Sequence, residues 1–280
     1  MENTYIKSPL NYVGGKYKLL KDIIPLFPED INAFVDLFGG GFNIGINVKA
    51  AHVIYNDISS HVTSLLEHMS RTETSTLLGE IDSYIDKYSL TKENKEGYLK
   101  LREDYNTNDK SPMKFYTLLC YAFNNQIRFN NQGLYNMPFG KDRSSFNPTL
   151  REKFIIFSNQ IHSNKYSFKN EPFKNFDFSG LSGNDFVYAD PPYFNSVATY
   201  NEKDGWTEDN EKDLLNILDE LNGKGVRFAL SNNLKYDNPL LDKWKDKYNV
   251  NYINHSYSNC NYQKKDKSKD IEVLITNYTK

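Results

Sequence analysis

The apolar positions of the chain change period as it runs. Ser8 to Leu20 carries Gly14 and Gly15, which predict a turn, and a helix to about Phe27, ended by Pro28. Ala33-Phe-Val-Asp-Leu-Phe38 is a short apolar run, the pattern of a buried strand. Gly39-Gly-Gly41 breaks it, a helical stretch is expected next, and His52-Val-Ile-Tyr55 reads as a second strand ending at Asn56-Asp57. Strand, glycine turn, helix and strand make a βαβ unit. From residue 60 to about 125 the apolar spacing becomes helical: Leu65 and Met69, then Leu99, Leu101 and Tyr105, then Tyr116, Leu119 and Phe123. Arg128 to Gly140 places Gly133 between two short β-like runs, which predicts a hairpin. From about Leu150 the α/β pattern resumes. Asp185 to Ala189 and Val226 to Leu230 read as strands. Between them Thr207 suits a helix N-cap, Glu208 and Asp209 suit the positive helix end, and Gly223 suits the stop. Tyr248 to Tyr257 and Asp270 to Tyr278 read as a closing strand pair.

The fold class that follows is α/β. Residues 1–59 and 150–280 form one domain, and residues 60–149 form a mostly helical insert that carries the hairpin. A length of 280 residues is enough for one large core without staples. The net charge of -2 excludes a polycation, so any nucleic-acid binding rests on local basic patches. The 21 Tyr and 18 Phe exclude wholesale disorder. Cys120 and Cys260 cannot make a disulfide framework, which suits a reducing compartment. The histidines lack zinc spacing, so no metal is expected. No signal peptide or membrane-spanning run is visible, and the expectation is a cytoplasmic protein.

The sharpest chemical signal is Asp190-Pro191-Pro192-Tyr193, directly after a buried strand. A carboxylate there faces the crevice where α/β folds bind ligands. The prolines fix the backbone and the tyrosine offers a flat face. The set suits a planar substrate bearing an amino group, held by Asp190 and the Pro191 carbonyl and stacked on Tyr193. The second signal is Asp36-Leu-Phe-Gly-Gly-Gly41. It is not the dinucleotide fingerprint, because Ile44 stands where the third glycine belongs. Asp57, 18 positions after Gly39, suits a carboxylate that grips ribose hydroxyls. Together these favour a nucleoside cofactor without phosphates.

These motifs, with the Tyr12-Val-Gly-Gly-Lys16 start, resemble the Dam-type DNA adenine methyltransferases of the D12 class, alpha group, and most of all the T-even bacteriophage form. Lys100-Leu-Arg-Glu-Asp-Tyr-Asn106 and Trp206 to Asn222 share in the likeness, which covers nearly the whole chain. The resemblance implies a Rossmann-like core that uses S-adenosylmethionine, releases S-adenosylhomocysteine and needs no metal. It implies that 1–59 and 150–280 bind cofactor and catalyse, and that 60–149 recognises duplex DNA. Asp190, Pro191, Pro192 and Tyr193 would be catalytic. Tyr12, Gly14, Lys16, Asp36, Phe38, Gly39, Asp57, Phe173 and Asp190 would surround the cofactor, with Phe173 against its adenine ring. Asn11, Phe123, Asn124, Gln126, Arg128, Asn130, Pro138, Lys141 and Arg143 would meet DNA. Lys264 to Lys269 reads as a solvated loop.

The implied reaction is methylation of the exocyclic nitrogen of a flipped adenine, in GATC or a related site. It would take place in a prokaryotic cell or a phage-infected host, with any cognate restriction endonuclease acting without a stable complex. Two positions depart from the phage pattern. Gln126 replaces an apolar groove contact, and Asp142 separates Gly140-Lys141 from Arg143, so that either a bulge in the hairpin strand restores Arg143 to the groove, the favoured reading, or Arg143 faces phosphate and another residue reads the guanine. The competing readings are a methyltransferase for RNA or a protein amide, and an inactive DNA-binding relic.

Overall fold

The computed structural model describes residues 5–195, 205–253 and 271–280. In chain order the regular elements are α1 (Leu20–Ile23), β1 (Ala33–Asp36), β2 (His52–Asn56), α2 (Ser60–Arg71), α3 (Thr74–Lys87), α4 (Lys95–Thr107), α5 (Pro112–Tyr121), α6 (Pro148–Ile161), β3 (Tyr166–Lys169), β4 (Phe186–Ala189), α7 (Glu208–Gly223), β5 (Arg227–Asn233), α8 (Pro239–Trp244), β6 (Asn249–Ile253) and β7 (Glu272–Thr276). They fall into two compact units. One holds residues 1–15, 40–47 and 59–170, and the other residues 16–39, 48–58 and 171–280.

The first unit is mainly helical. Every residue of α5 from Met113 to Tyr121 is buried, so this helix is the centre of the unit and not an amphipathic surface element. Its one buried cation, Lys114, is satisfied by Asp104 Oδ2 at 2.8 Å and Asp109 Oδ2 at 3.5 Å. Side chains of Asn94 and Asn147 cap α4 and α6 by accepting the amides of Gly97 and Leu150.

The helical stretch expected after Gly39–Gly41 does not form. Residues 43–47 are consecutive turns. Phe42 has φ 62°, in the left-handed region that interrupts a helix. A side chain at Gly45 would run into the Phe42 ring. The Asn47 amide meanwhile donates to the carbonyls of Ile6 and Asn43, both at 2.8 Å. Local side-chain bonds thus replace the helical ladder.

The second unit carries the sheet that positions the site. Its strands pair in the order β2-β1-β4-β5-β7-β6. β2, β1, β4 and β5 are parallel, whereas β7 is antiparallel to both β5 and β6. α7 lays Leu214, Leu218 and Leu221 against Val187, Phe228 and Ile275 of the sheet core. The opposite layer is aromatic: Phe27, Phe34, Phe186, Tyr188 and Tyr278 make a chain of tilted, edge and stacked contacts.

Asp185 clamps the start of β1 to the start of β4. Its Oδ1 accepts from the Ala33 amide and the Asn32 side chain, and its Oδ2 from the Ser182 amide and hydroxyl. Burial alone would raise this carboxyl, but those donors hold it below the ordinary range. The helix expected from Lys16 to Phe27 is present only in pieces: a 3-10 turn over Lys16–Leu19, the single turn α1, and a second 3-10 turn over Ile24–Leu26. Pro25 supplies no amide for a continuous ladder.

Candidate active site

Three carboxylates end three neighbouring parallel strands. Asp57 follows β2, Asp36 closes β1, and Asp190 follows β4. Because the strand order is β2-β1-β4, the three lie side by side along the carboxyl edge of the sheet. That edge is where open α/β sheets bind ligands. Asp36 and Asp57 are 2% and 7% exposed. Asn56 steadies the end of β2. Its side chain donates to the carbonyls of Leu37 and Glu171 and accepts from the Glu171 amide, and its own carbonyl receives the Gly39 amide.

Asp190 sits in a dense polar cluster. Lys16 Nζ lies 2.7 Å from Asp190 Oδ1 and donates to the Tyr193 hydroxyl, also at 2.7 Å. The Tyr193 hydroxyl donates to Glu272 Oε1 at 2.6 Å, and Lys16 Nζ is 3.4 Å from that same oxygen. Lys16 Nζ also stands 5.0 Å from the centre of the Tyr193 ring. Burial pushes the Asp190 carboxyl up. The Lys16 ammonium opposes this, the Glu272 carboxylate adds to it, and the result is about 6. Burial likewise raises the Tyr193 phenol, so it remains protonated and can donate. The following loop is held by Asn195, whose amide donates to the Asp237 carbonyl at 2.7 Å.

The first glycine of the loop after β1 answers to packing. A side chain at Gly39 would meet the Tyr55 ring at 2.3 Å, a clash that no small shift relieves. Beside it, Phe38, Phe173 and Trp206 form an aromatic group with ring centres 5.3–5.6 Å apart. Trp206 is fixed by its indole N–H, which donates to the buried Glu211 carboxylate. Phe173 therefore sits on Phe38 and Trp206.

Of the expected site residues, the second unit brings together Lys16, Asp190 and Tyr193 directly, and Asp36, Phe38, Gly39, Asp57 and Phe173 along the same edge. Pro191 and Pro192, between Asp190 and Tyr193 in the chain, are buried. Glu272 escaped the sequence reading. Its only signal was an acidic residue opening the apolar run Glu272-Val-Leu-Ile.

The first unit gathers Tyr12, Gly14 and the residues expected to meet DNA. Tyr12 lies over Gly40 and Gly41, where added side chains would meet it at 3.0 Å. Gly14 turns the chain with φ 78°. Asn11 donates to the Asn124 carbonyl at 2.7 Å, and Asn11 and Gln126 bridge in parallel. Asn124 and Asn125 both have positive φ, 54° and 52°. This tight turn leaves Phe123 41% exposed.

The hairpin is present but slender, with a single antiparallel bridge between Phe129 and Tyr135. Asn130 Oδ1 accepts the amides of Gln132 and Leu134, which closes its turn. Arg128 donates to the side chain and carbonyl of Asn136 at 2.8 and 2.9 Å. The Pro138 carbonyl accepts the Phe123 amide. Residues 141–143 are not a bulged strand. The amides of Arg143 and Ser144 both return to the Gly140 carbonyl, and Asp142 has φ 60°. The chain is a tight turn there, so strand alternation does not govern where Arg143 points. Lys141, Asp142 and Arg143 are all exposed. The Lys264 to Lys269 run lies outside the described residues.

The donor set at the sheet edge fits a cationic nucleoside better than a phosphorylated one. Carboxylates accept from hydroxyl and amino groups and attract a sulfonium, and they would repel a pyrophosphate. Among the described residues no cluster of metal-ligating side chains occurs, and no helix is long and apolar enough to cross a membrane.

Comparison with known proteins agrees with this chemistry. The chain is 48% identical over 285 residues to the Type II methyltransferase M.FokI of Planomicrobium okeanokoites, covering 99% of this chain and 44% of that protein. It is 44% identical over 283 residues to the modification methylase StsI of Streptococcus sanguinis, covering 98% of this chain and 43% of the relative. It thus spans less than half the length of these two relatives. The DNA adenine methylase of Escherichia coli K12 is 24% identical over 251 residues, covering 87% and 86% of the two chains. The family model for the D12 class N6 adenine-specific DNA methyltransferases matches residues 12–271. The chain belongs to that family.

Proposed function

We propose that the chain transfers a methyl group from S-adenosylmethionine to the exocyclic nitrogen of an adenine flipped out of duplex DNA. The observation that carries this reading is the cluster at the end of β4. A half-buried carboxylate near pKa 6 stands beside a tyrosine ring whose hydroxyl is held at both Lys16 and Glu272. S-adenosylmethionine, when bound, supplies an electrophilic methyl on a sulfonium. Asp36, Phe38, Gly39 and Asp57 on this edge are the residues that would hold it.

The adenine amine is a poor nucleophile because its lone pair is delocalised into the ring. Asp190 accepts from the amine and favours the positive charge that develops on nitrogen. Tyr193 stacks on the extruded base. Stacking contributes roughly 1–3 kcal/mol per base, which offsets much of the cost of extrusion. Asp190 Oδ1 is engaged by Lys16, and Oδ2 has no hydrogen-bond partner among the described residues. Oδ2 is therefore the oxygen available to the amine. No covalent nucleophile is required, and orientation of two bound partners supplies much of the acceleration.

Residues 60–149 would read the duplex. Phe123, exposed on a tight turn, suits insertion at the vacated base position, with Asn11, Asn124 and Gln126 beside it. Lys141 and Arg143, with Arg128, Asn130 and Pro138 of the hairpin, supply the remaining contacts. The site is GATC or a relative of it. Two observations support a departure from plain GATC: the turn at Lys141–Arg143, and the greater identity to M.FokI and to the modification methylase StsI than to the adenine methylase of Escherichia coli. The names of those relatives also support a role beside a restriction endonuclease, and the setting proposed for it is a prokaryotic or phage-infected cytoplasm. Methylome sequencing of a methylation-free host expressing the chain tests this. N6-methyladenine in one defined motif is expected. Methyl incorporation only into RNA or protein would overturn it.

A further inference from the structure

Two carboxylates meet at Lys16 and Tyr193, and the mechanism above uses one of them. The second, Glu272, is the first residue of β7. β7 runs antiparallel to β5, with Glu272 in register with Asn233, the last residue of β5. The reversal of direction therefore delivers the start of the last strand to the carboxyl edge of the parallel strands. Only 8% of the Glu272 side chain is exposed. Its Oε1 accepts a hydrogen bond from the Tyr193 hydroxyl at 2.6 Å and lies 3.4 Å from Lys16 Nζ, while Asn233 donates to Oε2 at 3.4 Å.

We propose that Glu272 is a positioning residue for methyl transfer: it anchors the Lys16 ammonium and the Tyr193 hydroxyl on the Oδ1 side of Asp190, so that Oδ2 is the oxygen presented to the amine. This rests on the function proposed above. The hydrogen bonds have one consistent direction. Lys16 donates to the Tyr193 oxygen, and Tyr193 donates onward to Glu272. A phenol held at both lone pair and proton cannot rotate away, and its ring plane is fixed for the incoming base. Without Glu272 the Tyr193 proton would turn to Asp190 Oδ1, now 3.5 Å away, and compete with the amine for that carboxylate.

Fold stability alone is a poor reason for such a group. A buried ionic cluster is commonly no more stable than apolar residues of the same volume. Two carboxylates, Asp190 and Glu272, also face the single ammonium of Lys16. The groups that face Asp190 are Lys16 from the turn before α1, Tyr193 on its own loop, Glu272 from β7 and Tyr188 from β4. Asp36 on β1 acts on Tyr188 in turn. Glu272 is the negative charge among them that bears on Asp190 itself.

Two variants separate the roles. Glu272→Gln keeps an oxygen for Tyr193 and removes the charge, whereas Glu272→Ala removes both. Turnover is measured on duplex DNA together with the pH dependence of kcat/KM. The Asp190 carboxyl is titrated by carbon-13 NMR in the cofactor-free protein, assigned with Asp190→Asn. Glu272→Ala is expected to lose roughly 100-fold in kcat with little change in KM for DNA. Glu272→Gln is expected to retain most of kcat and to move both the Asp190 titration and the acidic limb of kcat/KM down by about half a pH unit or more. If the alanine variant does not fold, the glutamine variant carries the test.

An unchanged Asp190 titration in Glu272→Gln, or Glu272→Ala turnover within about twofold of the unsubstituted protein, overturns the proposal. If the unsubstituted protein methylates no adenine, the functional reading falls. The NMR titration then decides separately whether Glu272 governs Asp190.

Discussion

The carboxyl edge of the sheet and the hairpin of the helical unit use the same residue types in opposite ways. At the edge, charged groups are buried or half-buried and pair with one another, so each one's state depends on its neighbours. Asp190 is raised to about 6 by burial and by Glu272, against the pull of Lys16. In the hairpin the polar groups are exposed or half-buried, and several bond to their own backbone. Asn130 closes the turn, Arg128 braces Asn136, and Asn11 ties down Asn124. Amides and arginines there build the shape first, and any contact with bases comes from what the shape leaves outward. A catalytic group needs a tuned proton affinity, which burial and close charged neighbours give. A reading surface needs donors and acceptors that water can leave cheaply, so it stays exposed.

The contrast is broken most sharply at Asp190. Asp190→Ala is expected to reduce methyl transfer by roughly 10²–10⁴-fold with duplex binding retained in a gel-shift assay. In the unsubstituted protein, kcat/KM should fall as pH drops through about 6, as the Asp190 carboxylate takes up its proton. Near-normal turnover of the alanine variant would remove Asp190 from the chemistry.

The next largest effect is on stability, and its sign is unusual. The folded pKa of Asp190 is raised, so this group's favourable contribution is full below the unfolded value near 3.8 and is lost as pH rises through about 6. Asp190→Asn stays neutral throughout. Denaturant unfolding should therefore find it more stable than the unsubstituted protein at pH 8, by about 2 kcal/mol, with the gap closing toward pH 4. A destabilised Asp190→Asn variant at pH 8 would mean that Lys16 outweighs burial.

On the hairpin, Arg143→Ala should lose roughly 1–3 kcal/mol of discrimination at one guanine if the exposed Arg143 reads a base edge. Arg128→Ala should weaken binding through a loosened hairpin, without altering preference. Methylome profiles of the two variants separate these outcomes. Equal loss at all sites in Arg143→Ala would make it a phosphate contact.

The smallest effect sharpens the same point. Asn130→Ala leaves two turn amides without their acceptor and should cost about 1 kcal/mol in thermal or denaturant unfolding. Phe123→Ala, at an exposed position, should stay within about 0.5 kcal/mol of the unsubstituted protein. If Phe123→Ala proves the more destabilising, the hairpin packs more than it presents.

The order of buried strands, the carboxylates that end them and the aspartate before two prolines were legible because they depend on local pattern. An apolar run marks a strand wherever it lies, and a polar residue at its end marks the edge. The β5 and β7 runs were also legible for this reason. The segment after Gly39–Gly41 was not, because its helical spacing lost to a left-handed Phe42 and to Asn47 bonds with distant Ile6 and neighbouring Asn43. The turn at Lys141–Arg143 was likewise hidden, since it is closed on Gly140 and on Lys92, whose carbonyl receives the Asp142 amide. Glu272 was least visible of all. Its sequence neighbours make it the start of an ordinary strand, and only the antiparallel return of β7 sets it against Lys16 and Tyr193, which lie 256 and 79 residues away in the chain. Periodicity and motif are properties of neighbours in sequence. Charge coupling is a property of distance in space, and in this protein the fold alone decided it.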